Sequence, residues 1–177
     1  FFDRTRKSPS TFFGGGLVAH IAFAEPVCRS LAGLLYDAGR EIGASIHLGG
    51  TYVNMEGPAF STKAESAAYR GMGLDLIGMT NLVEAKLARE AEICYATMAM
   101  VTDYDCWQPD HEAVTVETVV KNLMKNADTA KKLIRKAVEK IPRAQECACG
   151  RALRDAIITQ RDSVPHELIL RLGPIVG

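Results

Sequence analysis

The chain has 177 residues, 47% hydrophobic and 24% charged, an ordinary composition for one folded domain with a real core. Lys plus Arg equals Asp plus Glu at 21 each, so no basic surplus points to nucleic acid and no acidic tail to disorder. No apolar run has the length of a bilayer span, and five cysteines without framework spacing fit a reducing, cytoplasmic compartment.

The first residues, Phe1-Phe2-Asp3-Arg4-Thr5-Arg6, carry neither an initiator Met nor a signal-peptide pattern. They read as the end of a strand cut within a longer protein. Residues 4–16 are rich in Ser, Thr, Pro and Gly and read as a loop. Pro26 opens a helix with Val27, Ser30, Leu31, Leu34 and Leu35 at helical spacing, and Gly39 and Gly43 fray or end it. Residues 45–54 have strand composition interrupted by Gly49-Gly50. A turn follows at Met55-Glu56-Gly57-Pro58. Ser61 or Thr62 then starts a helix with Glu65 reaching back, the pattern of a capping box.

Residues 74–78 form a short apolar strand, and residues 82–92 have helix composition. Residues 93–101, Ile-Cys-Tyr-Ala-Thr-Met-Ala-Met-Val, are too short for a buried helix and predict a central strand covered on both faces. A long amphipathic helix comes next. Its apolar stripe runs through Val116, Val119, Val120, Leu123, Ala127, Leu133, Ala137 and Val138, with lysines opposite, and Pro142 stops it. The remainder holds one short helix and an apolar tail. Alternating strands and helices predict an α/β layered domain, with no internal repeat and no linker.

Three stretches carry chemistry, each after a predicted strand and before a helix, so they would converge on one sheet edge. In Thr102-Asp103-Tyr104-Asp105-Cys106-Trp107, paired carboxylates in a partly apolar setting can hold or share a proton. They equally suit a strand-ending turn in which Asp caps backbone groups, and a D-x-D metal site is a third option that lacks a further ligand nearby. Phe60 before the helix start can stack on a flat ligand, or can serve as that helix's hydrophobic staple. Met79-Thr80-Asn81 offers a hydroxyl and helix amides to an anion, or a plain N-cap. Cys147-Ala148-Cys149 can be a metal half-site or a redox pair. Without a second cluster nearby in sequence, ordinary surface thiols are the preferred reading, and no metal is assigned.

Taken together, four motifs resemble the trimeric purine nucleoside phosphorylase family, in its order and spacing. They are His20 with Ala24-Glu25-Pro26, the run from Glu56 to Glu65, Gly78-Met79-Thr80, and the run from Ala99 to Trp107. The resemblance covers residues 1–141 and is closest to the branch acting on methylthioadenosine. Residues 1–177 would be the C-terminal portion of one nucleoside phosphorylase domain, with residues 143–177 a variable tail. The implied fold is a three-layer α/β domain, a central mixed sheet flanked by helices, assembled as a homotrimer without nucleic-acid or membrane partners.

The implied activity is phosphorolysis of 5′-methylthioadenosine to adenine and 5-methylthioribose 1-phosphate, with inorganic phosphate as co-substrate and no cofactor. By that resemblance Asp103 would hydrogen-bond purine N7 and Asp105 the exocyclic amine, as the catalytic pair. Phe60 would stack on the base, Met79 would flank base and ribose, and Thr80 would bind phosphate. Val116, Val119 and Val120 would line the 5′ pocket, with His20 approaching from a neighbouring subunit. Taken without the resemblance, that valine stripe is ordinary core. Asp at both positions favours a 6-aminopurine, because a 6-oxopurine would leave buried polar groups unpaired. Phosphorolysis of 6-oxopurine nucleosides or methylthioinosine, and an inactive nucleoside-binding or oligomerising homologue, are the alternatives. The family's glycine-rich phosphate loop and Arg-His phosphate pair have no counterpart in these residues. The chain by itself is therefore expected to lack phosphorolysis and to leave residues 93–101 without strand neighbours.

Overall fold

The structure, a computed structural model, describes residues 1–108, 116–144 and 146–177, apart from the side chains of Val116, Thr118 and Val119. Three short strands form one sheet in the order β1 (Phe2–Arg4), β2 (Tyr52–Met55), β3 (Leu76–Gly78). Phe2 pairs with Val53 and Val53 with Ile77, so β2 is the middle strand. Both pairings are parallel, and among the described residues no antiparallel strand joins them to make the sheet mixed. Parallel neighbours need crossovers. Helices α1 (Arg29–Glu41) and α2 (Lys63–Gly71) occupy the two connections, and α3 (Asn81–Glu90), α4 (Val116–Val138) and α5 (His166–Val176) follow. The α/β character and the flanking helices agree with the sequence.

Local chemistry explains the ends of these elements. The Thr62 hydroxyl accepts from the Glu65 amide at 3.2 Å and the Glu65 carboxylate accepts from the Thr62 amide at 2.8 Å, completing the expected capping box. Gly43, at φ 71°, follows the C-cap of α1, whereas Gly39 lies buried inside the helix and does not end it. Gly49 and Gly50, at φ 93° and 114°, hold backbone that a ladder cannot use, so of residues 45–54 only the last three join β2.

Residues 93–101 depart from expectation: they form no strand. β2 is paired on both sides, and among the described residues none pairs with 93–101 in a ladder. Apolar composition alone cannot make a strand without one. Ile93 and Val101 are accordingly 58% and 60% exposed rather than covered. Two side-chain hydroxyls and one backbone bond hold the segment instead. The Tyr95 and Thr97 hydroxyls donate to Asn81 Oδ1 at 2.7 Å each, and the Cys28 amide donates to the Tyr95 carbonyl at 2.7 Å.

The long helix packs only in part. Leu133 and Ala137 of α4 bury against Ala38 of α1, with Leu34, Leu35 and Ile42 around them, while Val120, Leu123 and Met124 stay exposed. The tail docks separately: Leu168 and Leu172 of α5 close over Leu17 with Phe13, Ile157 and Val164. Among the described residues no helix is long and apolar enough to cross a membrane.

Candidate active site

A parallel sheet delivers the carboxyl ends of its strands to one edge, and three loops leave that edge here: residues 5–8 after β1, 56–61 after β2 and 79–80 after β3. Glu56 ties the first two together. Its carboxylate accepts from the Arg6 amide, from the Lys7 amide at 3.1 Å and from the Ser8 hydroxyl at 2.9 Å. The Arg6 and Lys7 amides hold its carboxyl below the ordinary value.

Asn54, on β2, ties the second loop to the third. It is fully buried, and its amide nitrogen donates to the Met79 carbonyl at 2.9 Å. Its amide oxygen accepts from the Leu82 amide, also at 2.9 Å, at the start of α3. Gly57 lets the two loops close on each other. It sits at φ 72°, and a Cβ there would stand 2.7 Å from Met79 Sδ. Thr80 is exposed at the N-cap position of α3 and makes no side-chain cap, which leaves its hydroxyl beside the amides of a helix N-terminus. The plain N-cap reading of Thr80 is therefore not what forms.

The acidic loop touches the loop after β2. Cys106 Sγ lies 3.6 Å from the Ser61 carbonyl, next to Phe60. The Thr102 hydroxyl donates to Asp103 at 2.5 Å, and Asp105 accepts from the Cys106 amide at 2.9 Å. Two asparagines one turn apart on α4 grip the backbone leading in: Asn122 donates to the Thr102 carbonyl at 3.0 Å and Asn126 to the Val101 carbonyl at 2.8 Å. Trp107 stacks under Arg70 of α2, with the guanidinium carbon 3.6 Å from the ring centre, and meets Tyr104 edge-on at 5.9 Å.

Of the residues singled out by sequence, Phe60, Met79, Thr80, Asp103 and Asp105 thus lie on loops linked by direct contacts. Phe60 is 85% exposed, so it is no buried staple of α2. Asp103 is exposed and Asp105 half-buried, so the apolar enclosure expected around them is not built by this chain's own described residues. Cavities of about 180 and 230 Å³ lie elsewhere, beside Lys86, and none of these five residues lines them. Val120 is exposed, whereas the side chains of Val116 and Val119 lie outside the described residues. His20 is exposed, its amide bonded to the Ala156 carbonyl at 2.8 Å. Sequence reasoning missed Asn54, Asn122 and Asn126. The last two were legible as polar breaks four residues apart in the α4 pattern.

The thiols also depart from expectation. Cys147 and Cys149 are not ordinary surface groups: Cys149 is buried, Cys147 partly so, and Cys28 and Cys94 join them from distant segments. The fold, not the local sequence, assembles that cluster.

A family profile described as the phosphorylase superfamily matches residues 1–139. The S-methyl-5′-thioadenosine phosphorylases of Gloeobacter violaceus and Koribacter versatilis are 59% and 56% identical over the whole chain, which covers 61% of each. The chain thus spans about three fifths of the length of these relatives. A crystal structure of methylthioadenosine phosphorylase sourced from an antarctic soil metagenomic library superposes with a TM-score of 0.93 at 44% identity, covering 99% of this chain and 63% of that one. Methylthioadenosine phosphorylase from Schistosoma mansoni in complex with adenine gives 0.78 at 30% identity, covering 92% and 65%. The bacterial relatives align through residues 143–177 as well, the tail set apart as variable in the sequence.

Proposed function

The chain belongs to the phosphorylase superfamily, and from that premise we propose that the protein cleaves 5′-methylthioadenosine with inorganic phosphate, giving adenine and 5-methylthioribose 1-phosphate. Similarity to methylthioadenosine phosphorylases over the whole chain supports this reading. The structural observation that carries it is the approach of Cys106 to Ser61, which sets the Asp103–Asp105 loop beside Phe60.

Breaking the N9–C1′ bond leaves an oxocarbenium-like sugar and an electron-rich base. Asp103 holds the proton that meets purine N7, and Asp105 accepts from the exocyclic amine. Phe60 stacks on the base. Met79, fixed through Asn54, flanks base and ribose. The Thr80 hydroxyl and the α3 amides receive phosphate, whose placement turns attack on C1′ into an oriented step. Val116, Val119 and Val120 take the methylthio group. In a homotrimer His20 of one subunit reaches the neighbour's pocket, which supplies the enclosure that exposed Phe60 and Asp103 need. Phosphate is the co-substrate and no cofactor takes part. The protein is the nucleoside phosphorylase of a cytoplasmic salvage reaction.

The test is adenine release from 5′-methylthioadenosine with and without phosphate, beside a panel of 6-oxopurine nucleosides. Phosphate-dependent release with preference for the aminopurine is expected. Cleavage that ignores phosphate, or a preference for the 6-oxopurine, overturns the proposal.

A further inference from the structure

Four cysteines from three separate parts of the chain meet at one point. Cys28 stands at the N-cap position of α1, Cys94 follows α3, and Cys147 and Cys149 sit at the short 3-10 turn Ala148–Arg151. Their four sulfurs all lie within 4.8 Å of one another. Cys94 and Cys147 stand 3.2 Å apart, Cys28 and Cys147 3.8 Å. A tetrahedron built on zinc–sulfur bonds of about 2.3 Å has edges of about 3.8 Å, so the cluster needs only small adjustment to surround an ion. A disulfide joins its sulfurs at about 2.05 Å and uses them in pairs. Here Cys147 approaches two partners at once, and the set converges on a centre rather than dividing into pairs.

We propose that Cys28, Cys94, Cys147 and Cys149 form a structural tetrathiolate site for a zinc ion, separate from the phosphorolysis site. Four soft donors within 4.8 Å of one another, with no oxygen among them, suit the zinc class of cation. Cys28 and Cys149 are 4% and 6% exposed, which makes the site closed, as a structural site is. Binding releases the thiol protons to solvent and leaves four thiolates on the metal, without change of oxidation state.

The site has a structural task to perform. The C-terminal tail rests on its own small core around Leu17, Leu168 and Leu172, apart from the core between α1 and α4. The cysteines sit at the junction of tail and α/β body. A nearby bond reinforces it: Glu92 accepts from the Leu153 amide at 2.8 Å. A metal here fastens the start of α1, the segment after α3 and the tail in one step, closing loops tens of residues long whose freedom in the unfolded chain is large.

The experiment uses the complete protein, expressed with zinc and purified under reducing conditions without chelator. About one zinc per chain is expected by elemental analysis, with X-ray absorption showing four sulfurs at about 2.3 Å. C94S and C149S should each fall to a small fraction of that content, while C106S keeps it. Chelation should lower the thermal midpoint of the parent protein. A zinc content near zero, iron in its place, oxygen or nitrogen donors in the first shell, or disulfides among these four cysteines by intact mass each overturn the proposal. Absorption on the parent protein decides the matter even where a serine variant does not fold.

Discussion

Asn54 and Met79 are joined by a 2.9 Å hydrogen bond that crosses from one strand end to the next, with no solvent reaching the asparagine. The same side chain accepts from Leu82, so one buried amide fixes both the loop after β3 and the first turn of α3. Met79 and Thr80 stand between those two anchors.

This bond gives the first prediction. Asn54→Ala leaves the Leu82 amide and the Met79 carbonyl without their partner, and an unsatisfied buried group costs about 1–3 kcal/mol. Denaturation should show a loss of that order. kcat/KM should fall by about tenfold or more, because small displacements of positioning groups are expensive. Asn54→Asp should be worse than Ala in kcat/KM, since a carboxylate keeps the acceptor for Leu82 but turns a negative charge towards the Met79 carbonyl. Denaturation curves and phosphate saturation on both variants check this. Equal kinetics for Asp and Asn would remove the residue from the positioning role.

The acidic pair gives a second. Asp103→Asn removes the proton that the proposal places at N7 and should lower turnover of aminopurine nucleosides by orders of magnitude. Asp105→Asn should act mainly on choice, converting an acceptor into a group that can donate to a 6-oxo substituent, so the ratio of aminopurine to 6-oxopurine rates falls. Steady-state rates on both nucleoside types separate the two roles. If Asp103→Asn turns over at the parent rate, that carboxylate is not the acid.

Much of this was legible in the sequence because the signals were local. Thr62 and Glu65 lie three residues apart, and their capping box formed as read. Phe60, Met79 and Thr80 follow strands that do pair, so their arrival at one edge follows from parallel topology. Residues 93–101 failed for the opposite reason: a strand is a relation between segments, and composition describes only one of them. The four thiols were hidden in the same way. Cys28 and Cys147 stand 119 positions apart in sequence, and no local spacing could announce their meeting. Asn54 looked like the polar end of a strand, because its two partners arrive only when α3 folds back over β2.

Trp107 supplies a third prediction, since it is the sole tryptophan and lies two residues beyond Asp105. Arg70 covers its ring at 3.6 Å. A cation–π contact at a partly exposed site contributes about 0.5–1 kcal/mol. Arg70→Ala should therefore change stability little, shift the emission of Trp107, and weaken the hold of α2 on the loop. Adenine titrated into the parent protein should perturb that emission, and Arg70→Ala should weaken adenine binding several-fold. Emission indifferent to saturating adenine would separate Trp107 from the base site.

Acid sensitivity gives the last prediction, and its sign follows from three carboxylates. The Arg6 and Lys7 amides hold Glu56 below its ordinary range, and the Thr62 amide does the same for Glu65. At Asp3 burial pushes upward, but the Lys86 ammonium at 2.8 Å and the Thr5 hydroxyl and amide outweigh it, and the net shift is downward. A carboxyl whose value is lower in the folded chain contributes stability above its unfolded value, near 4 for these groups, and loses it as pH falls through the folded value. The thermal midpoint should therefore stay level from pH 7 to about 5 and drop progressively below about 4.5. Glu56→Gln keeps an acceptor for residues 6–8 but no charge, so it should start from a lower midpoint at pH 7 and lose less on acidification. The loop that Glu56 holds adjoins the Phe60 segment, so adenine affinity should fall over the same acid range in the parent protein and less steeply in the variant. Parallel acid profiles of midpoint for parent and Glu56→Gln would show that the carboxylate's charge contributes nothing to holding β1 and β2 loops together.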